Sequence, residues 1–270
     1  MRQSEFRQAL RQFLHERPGF RTLFYTLTEA LVVSFWHIRK ELWGLALNQS
    51  QRNLHVLDAG AGMGQYEHFM SSRFPGWNIC ALDREASEVA ECNRYFLERG
   101  KHRVFFKTAN LETYREPDCF DLVLAVNVLE YLPNDRLVLT NFFDSLRPEG
   151  TLLLAVQSDK ALTVEPNFTN KLLGNQGLAH RYNALSLKKT LKEIGYTRIR
   201  AHYAYGYSGR LSTRLGIRLP KYLLKKSGLW MVVLPLYFVL TYPLILLLNL
   251  LDVVFAHWQG SELVVRASRP

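Results

Sequence analysis

The stretch Val56-Leu-Asp-Ala-Gly-Ala-Gly-Met-Gly64 joins an apolar strand to three glycines spaced G-x-G-x-G, directly before a predicted helix. Glycine has no Cβ, so the backbone can turn sharply there and approach a ligand closely. The N-terminus of the helix offers unpaired N–H groups and a positive dipole end to an anionic group. A dinucleotide fingerprint places its third glycine one residue later, where this chain has Gln65. Asp58 suits instead a ligand with a cationic amino group, such as an amino acid.

Four further blocks follow in order along the chain. Asn78–Asp83 reads as a second strand that ends in an acid, the position at which a ribose diol is held by two hydrogen bonds. The other three blocks are TANLE at 108–112, FDLVLAVNVLEYL at 120–132 and LRPEGTLLL at 146–154. This ordered set resembles the class I S-adenosylmethionine (SAM) dependent methyltransferases, in particular the branch with ubiquinone, menaquinone and small-lipid methyltransferases. The resemblance covers roughly residues 54–200 and the last strand.

Strand and helix patterns alternate through this region, which favours an α/β fold with a doubly wound parallel sheet. Strands are predicted near 54–58, 78–82, 103–107, 120–126, 150–156, 197–203 and 262–267, and helices at 64–73, 85–99, 134–146 and 186–194. The resemblance implies a Rossmann-like, seven-stranded, mostly parallel sheet whose last strand is antiparallel. We divide the chain into an N-terminal helical cap (1–50), a SAM-binding core (51–203), a basic and apolar insert (204–260) and a closing strand (261–270).

The resemblance also implies roles for individual residues around SAM. Asp58 would act near the amino group of SAM, through water or the backbone, and Asp83 would take the ribose hydroxyls. The other residues implied in cofactor binding are Gly60, Gly62 and Gly64 at the methionine part, Arg84 beside the adenine, Asn110 and Leu111 at the adenine amine, and Asn127 near the methyl-bearing sulfur. Asn110 stands where the family commonly has Asp. A helix-cap or turn role is the structural alternative for Asp58 and Asp83, and Asn127 has a structural alternative as well.

Methyl transfer needs a general base only when the acceptor must lose a proton. His180 and Tyr182 are the candidate catalytic residues, with Arg181 between them, in a loop that forms the substrate-side lid in related enzymes. His180 is equally consistent with a lid hydrogen bond. Glu130 and Tyr131 border the same cleft, where related proteins often carry Glu-His, and Glu130 is expected to cap or orient a helix.

Composition restricts the class of protein further. A length of 270 residues with 48% hydrophobic and 13% aromatic residues suits one folded α/β domain with additions. Three cysteines without C-x-x-C spacing predict a reduced compartment, and no signal peptide or metal site is expected. The net charge of +10 is compatible with nucleic acid. However, the basic cluster of 198–226 lies directly before an apolar run, and that is the pattern of membrane proteins, so we expect no nucleic acid.

The apolar run covers residues 229–256. Its exceptions are Pro235, Thr241, Pro243, Asn249 and Asp252. Two membrane crossings need about 40 apolar residues, and a single crossing would leave the closing strand on the wrong side of the bilayer. Because Pro235 and Pro243 interrupt a continuous helix, we expect a monotopic element at the cytoplasmic face of the membrane: a short helical hairpin in one leaflet, or helices lying in the interface. The alternative is a buried helical pair or a dimer interface.

Two helical patterns precede the core. One covers 3–17, with Phe6, Leu10, Phe13 and Leu14 at helical spacing, and could lie on a membrane surface. The other runs from about 21 to 47 as one helix, with an apolar side formed by Leu23, Phe24, Leu27, Leu31, Phe35 and Leu42. We expect this side to pack against the sheet edge or to cap the cofactor cleft.

The predicted function is therefore methyl transfer from SAM to a hydrophobic or lipid-like acceptor at a membrane surface with anionic lipids. One alternative is a methyltransferase for a soluble small molecule, with the apolar insert as a dimer interface. The other is a SAM-binding membrane partner without catalysis. The sequence leaves open the acceptor, the atom that is methylated and the oligomeric state.

Overall fold

The computed structural model describes residues 18–48, 53–160, 180–227 and 230–270. Seven strands form one sheet in the order β3-β2-β1-β4-β5-β7-β6, and only β7 runs antiparallel to its neighbours. The strands are β1 His55–Ala59, β2 Asn78–Asp83, β3 Val104–Thr108, β4 Phe120–Val126, β5 Leu146–Gln157, β6 Thr197–Ala204 and β7 Glu262–Ser268. The predicted fold class is confirmed. The predicted helix at 3–17 and the part of the predicted lid loop before His180 lie outside the described residues.

Helices cover both faces of the sheet. They are α1 Pro18–Leu31, α2 Val33–Asn48, α3 Gln65–Arg73, α4 Ala86–Glu98, α5 Asp135–Ser145, α6 Ala184–Ile194, α7 Tyr207–Thr213, α8 Leu219–Lys226 and α9 Trp230–Val254, with a π-helical turn at Arg214–Arg218. Side chains alternate between the two faces of a strand: Val56 packs with α1–α4, whereas Leu57 packs with α5 and α6. Each face therefore has its own buried core.

The predicted helix 21–47 is two helices, α1 and α2, separated at Val32. Near the break the Thr28 hydroxyl donates to the Phe24 carbonyl (2.8 Å), a bond that bends helices. The predicted packing side is correct for Phe35 and Leu42, which are buried, but wrong for Leu23 and Leu27. These two leucines are 51% and 45% exposed, because the opposite side of α1, with Arg21 and Tyr25, faces the protein instead.

The insert between β6 and β7 is a helical hairpin. One arm runs through α7, the π-helical turn and α8, and the other arm is α9. The arms meet through Gly209 N–H, which donates to Asp252 Oδ1 (2.8 Å), and through the Tyr237 hydroxyl, which donates to the Leu215 carbonyl (2.8 Å). Since the two arms run in opposite directions, the chain returns to the sheet on the side that it left.

The expectation that the prolines interrupt the apolar run was wrong. α9 is a single 25-residue helix that contains Pro235 and Pro243. A proline removes one backbone hydrogen bond from a helix, and packing against neighbouring helices can offset that loss. Two hydrogen bonds hold the segment between the prolines. The Tyr237 hydroxyl donates to the first arm, and the Thr241 hydroxyl donates to the Tyr237 carbonyl (2.8 Å).

Asp252 fastens α9 to the rest of the protein. Its side chain is fully buried and accepts hydrogen bonds from the Tyr205 amide (3.0 Å), the Ser208 hydroxyl (3.0 Å) and the Gly209 amide. His37 Nε2 on α2 lies 3.1 Å from its Oδ2. One carboxylate thus joins α2, α7 and α9.

We expect Asp252→Ala to lower the free energy of unfolding by about 3–5 kcal/mol, because it leaves several buried donors without an acceptor. Glu149→Ala is the matched control, since Glu149 forms an exposed pair with Arg198 that is worth at most about 1 kcal/mol. Urea unfolding in mild detergent measures both. Equal losses in the two variants would contradict the anchoring role of Asp252.

Candidate active site

The predicted cofactor residues meet at one edge of the sheet. β1, β2, β3 and β4 are parallel, so their carboxyl ends lie side by side. Asp58 lies within β1, Asp83 ends β2, Asn110 follows β3 and Asn127 follows β4. In an open α/β sheet this edge is where ligands bind.

The glycine loop has the strained backbone that its sequence predicts. Gly60, Gly62 and Gly64 have φ values of +88°, +56° and +84°, in the region that favours glycine. A Cβ on Gly60 would stand 2.7 Å from a methyl carbon of Val128. Gly64 is the N-cap of α3, so the loop leads directly into the N-terminus of that helix.

Asp83 ties the end of β2 to the glycine loop. Its Oδ2 accepts from the Gly62 amide (2.9 Å), and its Oδ1 accepts from the Glu85 amide (2.9 Å). An ionised carboxylate has about four acceptor positions. Asp83 can therefore hold the loop and still accept hydrogen bonds from a diol.

Asp58 lies behind the loop beside a second acid that the sequence analysis missed. Asp58 and Glu67, on α3, are both buried, and Asp58 Oδ2 has no hydrogen-bond partner among the described residues. Burial raises the pKa of Asp58 to about 7; the neighbouring Glu67 carboxyl opposes this rise, and the charge of Asp83 adds to it. Burial raises the pKa of Glu67 well above its usual range, and the charge of Asp58 adds to the effect. Both Glu67 carboxyl oxygens also have no hydrogen-bond partner among the described residues, so Asp58 and Glu67 form a buried pair of acids behind the loop.

The remaining predicted cofactor residues line the same edge. Arg84 and Asn110 are exposed, and Leu111 is buried. Asn110 Oδ1 accepts from the Glu112 amide (3.0 Å), which shapes the turn after β3. Asn127 has a positive φ of 54°, and its amide donates to the Ala155 carbonyl (2.8 Å).

The candidate catalytic residues have different surroundings. The His180 amide donates to the Glu130 carbonyl (3.2 Å), and its ring Nε2 is buried with no hydrogen-bond partner in the described part of the chain. The Tyr182 hydroxyl donates to Asp135 Oδ2 (2.8 Å), and burial raises the Tyr182 pKa. Burial also raises the pKa of Glu130, to about 8. The structure thus brings His180 and Glu130 together and directs the Tyr182 hydroxyl toward α5.

A second contact that the sequence analysis missed comes from α1. Arg21 and Tyr25 are buried, and both donate to the Met63 carbonyl in the glycine loop, at 2.9 Å and 2.6 Å. Arg21 also reaches Cys92 Sγ (2.9 Å) on α4. Their spacing of four residues places them on one side of a helix, which was the only signal for this contact in the sequence.

Residues 57–152 match the family model described as a methyltransferase domain. The match covers the glycine loop, Asp83, the turn after β3, strand β4 and the first part of β5. This part of the chain matches a methyltransferase domain. The predicted resemblance to the class I SAM-dependent methyltransferases is confirmed.

Curated relatives are distant and match the chain in part. A ubiquinone biosynthesis O-methyltransferase of Rickettsia felis is 24% identical over 102 residues, which are 38% of this chain and 41% of that protein. A malonyl-[acyl-carrier protein] O-methyltransferase of Paenibacillus is 24% identical over 49% of this chain and 46% of that protein. The matched segments thus span less than half the length of these relatives.

Solved structures agree with the fold. A phosphoethanolamine N-methyltransferase of Haemonchus contortus, determined with S-adenosyl-L-methionine, has a TM-score of 0.56 at 17% identity and covers 84% of this chain and 53% of that one. A coclaurine N-methyltransferase bound to N-methylheliamine has a TM-score of 0.53 at 15% identity and covers 84% of this chain and 70% of that one. The shared fold extends beyond the segment that the family model matches.

The residues at the sheet edge fit the cofactor of this class. The buried Asp58 oxygen offers an acceptor near the glycine loop, and Asp83 has acceptor capacity left for a ribose diol. Because Gly60 has no Cβ, its backbone fits closely against Val128, where a Cβ would clash. The SAM-dependent class therefore agrees with the local geometry.

Exchanging Glu67 tests how the side chain buried beside Asp58 affects cofactor binding. We expect Glu67→Gln to keep the affinity for S-adenosylhomocysteine, because a neutral amide of the same shape can donate a hydrogen bond to the Asp58 carboxylate. Glu67→Leu offers no donor, so the pKa of Asp58 should rise and a larger fraction of Asp58 should be neutral at pH 7. The affinity of this variant at pH 7 should therefore fall by roughly tenfold. Isothermal titration calorimetry across neutral pH measures this. An equal loss in both variants would show that Glu67 does not act through hydrogen bonding.

Proposed function

We propose that this protein transfers the methyl group of SAM to a hydrophobic or lipid-like acceptor at the cytoplasmic face of a membrane, as a monotopic enzyme. The observation that carries the proposal is the position of the helical hairpin. β6 is antiparallel to β7 and β7 is antiparallel to β5, so β6 runs parallel with β1–β5. The hairpin follows the carboxyl end of β6. It therefore begins on the side of the sheet where the carboxyl ends of β1 and β2 carry the glycine loop and Asp83.

The sheet edge supplies the cofactor half of the reaction. When bound, SAM provides an activated methyl group on a sulfonium. The protein contributes alignment: Asp83 would hold the ribose, the glycine loop would let the backbone approach, and Asp58 would attract the amino group. Alignment alone supplies a large part of the rate of such a transfer.

The outer surface of α9 supports the membrane half of the proposal. By length and composition Val232–Val254 could span a bilayer, with a mean hydropathy of 2.0. Its two most polar side chains do not face outward: Asn249 and Asp252 are fully buried in the protein. Outward-facing residues such as Leu236 (63% exposed) and Leu240 (73%) are apolar. Exposed apolar surface of this extent is typical of membrane or protein contacts.

Charge favours a lipid surface over a protein contact. The first arm of the hairpin carries six basic residues and no acidic one: Arg210, Arg214, Arg218, Lys221, Lys225 and Lys226. Near an anionic leaflet each such residue contributes about 1 kcal/mol to binding. The names of the relatives in ubiquinone biosynthesis and on malonyl-acyl-carrier protein agree with an acceptor of lipid-like character.

His180 is the proposed general base if the acceptor must lose a proton. Its buried Nε2 has no partner among the described residues, so it can accept a proton without breaking a bond. Tyr182 remains a candidate, although its hydroxyl already donates to Asp135.

The activity is tested with detergent-solubilised protein, methyl-labelled SAM and a lipid extract of the source cells. We expect label in an organic-phase species, and a loss of at least about 100-fold with Asp83→Ala, which removes both the ribose contact and the tie to the glycine loop. Glu98→Ala, an exposed acid at the end of α4, is the control. Label that enters only water-soluble molecules would favour the soluble-acceptor alternative, and SAM binding without transfer would favour the non-catalytic one.

Membrane binding is tested by sedimentation with anionic vesicles. We expect Leu236→Glu combined with Leu240→Glu to abolish co-sedimentation, because it places charges on the outer face of α9. Leu97→Glu combined with Leu185→Glu is the control, since these leucines are equally exposed but lie on α4 and α6. Wild-type protein that stays in the supernatant as a stable dimer would contradict the monotopic assignment.

A further inference from the structure

The first described helix, α1, has an inverted distribution of polar and apolar residues. It buries Arg21 and Tyr25 against the protein, at 1% and 0% exposure. It exposes Leu23 and Leu27, which lie one turn apart on the opposite side. A surface helix of a soluble protein has the reverse arrangement, with its apolar stripe toward the core. The outer face of α1 is therefore built for an apolar environment.

The buried side of α1 ends at the cofactor loop. The Arg21 guanidinium and the Tyr25 hydroxyl converge on one atom, the Met63 carbonyl oxygen, between Gly62 and Gly64. The same guanidinium donates to the Glu91 carbonyl (3.3 Å) on α4. Gly62 in turn donates to Asp83. A shift of α1 would thus be transmitted to the loop and to the residue that we assign to the ribose.

The C-terminal end of α1 is fastened to the apolar helix. Asn249 Nδ2 on α9 donates to the Ala30 carbonyl (2.9 Å), and the Asn249 side chain also accepts from the Ser212 hydroxyl. Asn249 thus connects the end of α1 to both arms of the hairpin. α1 joins the helix that we assign to the membrane to the loop that we assign to SAM.

We propose that α1 is a second lipid-contacting helix and that its contact with the bilayer sets the position of the cofactor loop, so that membrane binding raises the affinity for SAM. This inference rests on the proposed membrane function of α9. A lipid leaflet is favoured over a second protein copy because α1 is bonded to α9 and the adjoining arm of the hairpin carries only basic charge. Leu23 and Leu27 enter the apolar part of the leaflet, and Arg21 and Tyr25 then hold Met63 in the cofactor-binding position.

Coupling between two binding sites is reciprocal. If vesicles raise the affinity for the cofactor by some factor, saturating cofactor must raise the affinity for vesicles by the same factor. The probe is S-adenosylhomocysteine, titrated calorimetrically into the full chain with and without vesicles of phosphatidylcholine and a minority of phosphatidylglycerol. We expect a gain of at least about 5-fold with vesicles.

Two variants separate the lipid contact from its transmission. Leu23→Gln combined with Leu27→Gln keeps helix propensity and charge, and we expect it to remove the vesicle-dependent gain while the affinity without vesicles stays that of wild type. Tyr25→Phe keeps the buried ring but removes one bond to Met63, and should lose the gain while still sedimenting with vesicles. The control is Leu97→Gln combined with Leu185→Gln, which should keep the full gain.

Each other result overturns the inference, and the results are distinguishable. Wild-type protein that sediments with vesicles but shows no gain in affinity refutes the coupling and leaves the proposed function intact. Wild-type protein that does not sediment refutes both. A gain that persists in the Leu23 and Leu27 variant refutes the lipid contact of α1. A fall from dimer to monomer in that variant without vesicles, measured by light scattering, would assign the face to a second copy.

Discussion

The arrangement of this protein depends on the buried carboxylate of Asp252. Apolar packing alone would not hold a helix as apolar as α9 against the sheet, since lipid would solvate it as well as protein does. Asp252 holds it there by accepting hydrogen bonds from the Tyr205 and Gly209 amides and by its contact with His37. An uncompensated carboxylate in lipid is costly. The polar contact therefore determines which side of α9 faces the domain, and it leaves the apolar side outward.

Much of the fold could be predicted because its signals are local. The glycine loop, the acid at the end of β2 and the alternation of strands and helices each depend on a few neighbouring residues. The φ values of Gly60 and Gly64 agree with what the spacing implied. The ordered blocks predicted a parallel sheet, and the family that they resemble implied its seven strands and the antiparallel last strand.

The incorrect expectations concern contacts between distant segments. Leu23 and Leu27 read as a packing side because a helical pattern shows that one side is apolar, but not whether that side faces protein or lipid. Pro235 and Pro243 read as breaks because the supporting bond to Leu215 comes from another helix. Glu67 gave no signal, since its role depends on burial beside Asp58. For Glu67 and the prolines the deciding partner lies on another helix or strand, and for Leu23 and Leu27 the sequence pattern does not show which side of α1 faces the protein.

In the function that we propose, the carboxyl ends of the strands and the apolar hairpin would serve complementary parts of one reaction. SAM is charged and dissolves in water, whereas a lipid-like acceptor resides in the bilayer, so the reaction needs a place where both are within reach. The parallel direction of β6 puts the start of the hairpin at the same sheet edge as Asp83. Had the insert followed a strand that ends at the opposite edge, it could anchor the protein but could not present an acceptor to the methyl group. In the proposed function, the position of the hairpin in the topology, more than its hydrophobicity, is therefore what would link membrane attachment to methyl transfer.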